Sequence, residues 1–74
     1  MKENITPYHS IYIEQKDSND LERIEQLLAG KYVKLESNQG MIMIMSERNQ
    51  INSLLTLLIE RDYVIRRITD ENMD

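Results

Sequence analysis

The one histidine in this chain, His9, is followed by Ser10 and has acids nearby in sequence. A serine, a histidine and a carboxylate are the parts of a nucleophilic hydrolase. Adjacency works against that chemistry here, because neighbouring residues of an extended strand point to opposite faces, and His9 is expected to be a solvated strand start. Asp17, Asp20, Glu22 and Glu25 form a second group that could attract a cation. Their spacing is not that of a calcium loop and lacks its central glycine, so they are expected to cap and solvate a helix. Gly30 and Gly40 are the only glycines, and neither sits in a phosphate-cradling loop. With no cysteine and a single histidine, neither a thiolate nor a histidine-rich metal centre can be assembled. Arg66-Arg67 is the only basic doublet. In a chain with 9 basic and 13 acidic residues and a net charge of -4, it falls short of the concentrated basic surface that a phosphate backbone requires. The residues therefore predict no catalytic group, no cofactor, no metal and no nucleic-acid partner. What remains is the chemistry of contact.

The elements that would present such contacts follow from periodicity. Tyr8 to Gln15 contains Ile11 and Ile13 on either side of Tyr12, after a Pro7 that disfavours helix, and reads as a first strand. Asn19 is a candidate cap with Glu22 three residues on, and Leu21, Ile24, Leu27 and Leu28 share one helical face that Gly30 is expected to end. Tyr32, Val33 and Leu35 predict a second strand, closed by a turn at Ser37-Asn38-Gln39-Gly40. Met41-Ile42-Met43-Ile44-Met45 is apolar on both faces, which predicts a third strand in the middle of a sheet. Ser46 is a candidate N-cap for a second helix whose stripe is Ile51, Leu54, Leu55, Leu58 and Ile59. Tyr63-Val64-Ile65 and Ile68 predict a fourth strand before the polar residues from Thr69 onward. Residues 1–7 and 70–74 are expected to be flexible ends of one domain spanning 1–74.

The order β-α-β-β-α-β predicts an α+β fold of the ferredoxin-like kind, a four-stranded antiparallel sheet with two helices on one face and the first and third strands central. The other face is then open. Either Met41, Met43 and Met45 or Ile42 and Ile44 must point to it. Ile11 and Ile13 are the better core residues of the first strand, and Val33 and Leu35 of the second. That choice leaves Tyr12 and Tyr32 outward with the methionines, as a candidate interface of Tyr12, Tyr32, Met41, Met43 and Met45. Methionine is flexible and polarisable, and tyrosine adds apolar area with a polar tip, so together they suit an adaptable contact surface. The competing arrangements place the isoleucine row outward or fold the N-terminal segment over the face.

Seventy-four residues form one small domain that buries only ~60% of its unfolded surface, so core packing, with or without self-association, must supply its stability. No apolar run has the length of a signal or a membrane span, and the lack of cysteine suits a reducing compartment, which predicts a cytoplasmic protein. Ile11-Tyr12-Ile13-Glu14, the run Ile51 to Ile59, and Arg61-Asp62-Tyr63-Val64-Ile65-Arg66-Arg67-Ile68 followed by Asp70-Glu71-Asn72-Met73-Asp74 resemble the C-terminal accessory domain of the ATPase subunit of bacterial ABC-type drug and lantibiotic exporters. The family's domains follow a nucleotide-binding domain and continue into a Leu-Glu-Asp-containing helix, and this sequence has neither. The resemblance implies a regulatory or subunit-contact module without ATPase activity, and it transfers no catalytic residue. The expected function is a non-enzymatic interaction module that meets a partner protein or a second copy of itself. The alternatives are a free-standing bacterial or phage inhibitor of a larger enzyme, and a sensor of a small metabolite.

Overall fold

A computed structural model describes residues 8–71 and contains two helices and four strands in the predicted order. Strand β1 (Tyr8–Glu14) leads to helix α1 (Asp20–Leu28), then β2 (Lys34–Asn38), β3 (Met41–Glu47), helix α2 (Ile51–Glu60) and β4 (Ile65–Glu71). The strands form one antiparallel sheet in the order β2-β3-β1-β4, with β1 and β3 at its centre. The fold is α+β.

Alternation on the central strands builds the core. Ile11 lies opposite Ile44 and Ile13 opposite Ile42, and all four are fully buried. Ile24 and Leu28 of α1 and Leu54 and Leu58 of α2 complete the same cluster, so both helices cover this one face of the sheet. Burying each such side chain contributes roughly 1.5–3 kcal/mol, which makes these eight residues the main source of stability. The β2–β3 hairpin reverses through Gln39 and Gly40, both at positive φ, the two-residue turn whose twist matches that of the strands.

Local structure departs from the periodicity at several ends. Ser46 does not cap α2. Hydrogen bonding to β1 extends β3 through Ser46, which is buried opposite His9, and a short 3-10 turn at Arg48–Gln50 intervenes before α2 begins at Ile51. Asn19 makes no side-chain capping bond to α1. At the other end of α1, Ala29 enters the left-handed region one residue before Gly30 does, and its N–H bonds to the Glu25 carbonyl. Strand β2 starts at Lys34, later than predicted. Leu35 and Tyr32 pack against the core while Val33 is 53% exposed, which reverses the placement expected for Tyr32 and Val33. The reason is that Tyr32 precedes the strand, where strict alternation does not yet hold. Ile59 ends the apolar stripe of α2 but is 61% exposed at its last turn. Residues 70 and 71, expected to be flexible, are instead backbone-paired with His9 and Tyr8 in β4. The expectation for residues 1–7 and 72–74, including an N-terminal segment over the open face, lies outside the described residues.

Candidate functional site

The face of the sheet away from the helices carries Tyr12 from β1 and Met41, Met43 and Met45 from β3, all half-buried. Their placement follows from register. Because Ile11, Ile13, Ile42 and Ile44 all point into the helix layer, the alternate residues of the same strands must point the other way. Of the five predicted contact residues, the structure brings these four together. Tyr32 is elsewhere, against the core beside Gly30 and Gln50.

Tyr12 is flanked by Met43 on β3 and by Arg67 on β4, its register partners. The Arg67 guanidinium lies over the Tyr12 ring, 4.5 Å from its centre, a cation–π contact. A bulge makes Arg66 the extra residue of β4, since Tyr12 pairs with Arg67 and Ile13 with Ile65. The bulge turns Arg66 toward Glu14, which it meets at 2.9 Å. On the opposite edge Lys34 pairs with Glu36 at 3.2 Å, both about half exposed. A shallow hollow of about 300 Å³ lies over Tyr12, Met41, Met43 and Arg67 and is closed on the β2 side by Glu36 and Asn38.

The residue types of a hydrolytic triad do line up, though not as His9 with Ser10. His9 lies opposite Ser46 on one side and Asp70 on the other, so a serine, a histidine and an aspartate form a row across β3, β1 and β4 on the helix side. His9 Nδ1 is 2.6 Å from the Asp70 carboxylate. Its Nε2, the nitrogen a general base would use, accepts a bond from Arg48 Nε at 3.4 Å. Ser46 is fully buried and its Oγ donates to the Glu47 carbonyl at 3.2 Å. An occupied base and an unreachable hydroxyl make this a structural row. Sequence reasoning missed it because pairing of the three residues depends on register across three strands.

Of the four acids considered for a cation, Asp20 is the informative one. It is 3% exposed, and its Oδ2 accepts the backbone N–H groups of Lys16 at 2.6 Å and Asp17 at 3.1 Å. Burial alone would raise its pKa. The two backbone bonds, with the charges of Arg23 and Lys16, outweigh that effect and hold the carboxyl below its ordinary value. Burial and the neighbouring Asp20 carboxylate push the Tyr63 hydroxyl up. Lys16 Nζ donates to the Asp62 carbonyl at 2.7 Å, so the loops before α1 and after α2 are tied at one end of the sheet. Asp20 could have been found in the sequence, since it precedes Ile24 and Leu28 by four and eight residues and so continues their buried face. Among the described residues no group of acids and histidine is arranged to hold a metal ion, and no helix is long and apolar enough to cross a membrane.

No family model matches this chain, and no curated protein or solved structure matches it either.

Proposed function

We propose that this chain is a non-enzymatic, regulatory protein-interaction module of the cytoplasm that works through the open face of its sheet. The observation that carries this reading is the row of Met41, Met43 and Met45 beside Tyr12, half-buried on a face that neither described helix covers. A contiguous apolar patch of flexible side chains between charged edges is characteristic of surfaces that bind other polypeptides. The strand order β2-β3-β1-β4, with the two helices on one side, supports reading the fold as ferredoxin-like. That reading also accommodates the resemblance to exporter accessory domains, which act as contact modules and not as ATPases.

Methionine oxidation tests the face directly. The pure dilute protein and the same protein in concentrated extract of its source cells are exposed to hydrogen peroxide, and sulfoxide is quantified at each methionine by mass spectrometry. Slower oxidation of Met43 in the extract, lost in a Tyr12→Asp variant that keeps its circular dichroism spectrum, is the expected result. Equal rates in both conditions, with no slowing when the pure protein is itself concentrated to ~500 μM, would remove the open face as the contact surface.

A further inference from the structure

We infer that the occupant of the open face is a second copy of this chain, packed sheet against sheet about a two-fold axis parallel to the strands. This inference rests on the interaction reading above and names its partner.

The observation is one row of register partners that crosses the whole sheet: Glu36 on β2, Met43 on β3, Tyr12 on β1 and Arg67 on β4. It reads acid, methionine, tyrosine, base, and it is centred on the methionine stripe. A two-fold axis along the strands lays β2 of one copy over β4 of the other and β3 over β1. Glu36 then faces Arg67 of the second copy, Met43 faces Tyr12, and the same contacts repeat on the other side of the axis. A two-fold axis across the strands would instead set Glu36 on Glu36 and Arg67 on Arg67. Charge therefore selects one of the two ways in which the face can meet itself.

Two further features favour a second copy over an unrelated polypeptide. Among the described side chains on and around this face, three bases, Lys34, Arg66 and Arg67, balance three acids, Glu14, Glu36 and Glu47, although the chain carries -4. The central row, with Glu36 at its β2 end and Arg67 at its β4 end, is complementary to itself. Glu36 and Arg67 are also free to exchange partners. The bond between Glu36 and Lys34 is a half-exposed surface pair of little strength, and Arg67 stacks on Tyr12 with no acid paired to it among the described residues. Twisted sheets pack with their strands about 30° apart. At the outer strands, roughly 7 Å from the centre of the row, that rotation displaces Glu36 from Arg67 by only about 3.6 Å, within reach of an arginine side chain.

Three strands of seven residues and one of five offer a footprint of at most roughly 19 by 23 Å, small for a specific interface, so the dimer is expected to dissociate in the micromolar range. Molar mass is measured by light scattering and sedimentation from ~5 to ~500 μM for the wild type, Glu36→Arg, Arg67→Glu, and an equimolar mixture of the two variants. In the two-fold arrangement each variant alone sets like charges against each other twice and should weaken dimerisation at least tenfold. The mixture sets opposite charges against each other at both contacts and should restore heterodimer to within about threefold of the wild type. Unfolded variants could not produce that restoration. A wild type that stays monomeric at ~500 μM, variants that dimerise like the wild type, or a mixture that stays monomeric would each overturn the arrangement. Protection of Met43 in cell extract alongside a monomeric wild type would show that the face is right and the second copy wrong. Failure of both experiments would overturn both.

Discussion

Strand β3 has two apolar faces that behave differently. Ile42 and Ile44 are fully buried under the helices, whereas Met41, Met43 and Met45 on the other side are only partly buried. Hydrophobicity does not separate the two rows. Shape does: isoleucine is stiff at χ1 and packs in one arrangement against fixed neighbours, whereas methionine has three rotatable bonds and accommodates a surface that changes. The covered face is a fixed core, and the open face is suited to being remade on contact.

The largest expected effect is on the covered side. Ile44→Ala removes a side chain enclosed by Ile11 and the helix residues, and it should lower stability by about 2–5 kcal/mol through lost burial and the cavity left behind. For a domain this small, denaturant unfolding should show most of its stability gone. A loss below ~1 kcal/mol would mean that the two rows of β3 are not as different as their burial indicates.

Asp20 tests a second difference, between the end of the sheet tied by polar bonds and the apolar middle. Asp20→Asn weakens the acceptor for two backbone N–H groups in a buried site and should cost about 1–3 kcal/mol at neutral pH. Because the folded carboxyl titrates below its ordinary value of 3.8, its contribution is fully present above that value. The contribution is lost as pH falls through the lower folded value. Chemical denaturation from pH 7 down to pH 2 should therefore show an acid-limb loss of stability in the wild type that is shallower in Asp20→Asn. Parallel acid limbs would assign the wild-type loss to other carboxylates.

The same contrast explains what could be read from the sequence. The element order, the central position of β1 and β3, and the buried faces of both helices were legible because each is a strong period carried by isoleucine and leucine. The orientation of β3 was not legible from β3 itself. It was resolved by β1, where Tyr12 between two isoleucines leaves only one sensible face, and register carried that choice to the methionines. The ends were misread wherever tertiary pairing overrode local chemistry. Ser46 has the residue type of a cap, yet pairing with β1 holds it in a strand. Thr69 and Asp70 look like a polar tail, yet they pair with Ser10 and His9. Tyr32 was assigned to the contact face by an alternation that begins only at Lys34.

The smallest expected effect is the most telling for the open face. Met43→Ala shortens a side chain that is only half-buried and lies on the face away from both described helices, so in the dilute monomer it should cost well under about 1 kcal/mol. Against the loss expected for Ile44→Ala, its immediate neighbour, that is a difference of several-fold across a single peptide bond. If the face is occupied in a dimer, the two variants separate further with concentration. The penalty of Met43→Ala should then grow as protein concentration rises, because the wild type gains stability by association and the variant gains less. Ile44→Ala should show a far weaker dependence, since its loss lies within the folded monomer. Thermal melts of both variants and the wild type from ~5 to ~500 μM read this directly. A concentration-independent penalty at Met43 would mean that the methionine stripe contributes to the monomer alone, and the functional contrast between the two faces of β3 would reduce to a difference in packing.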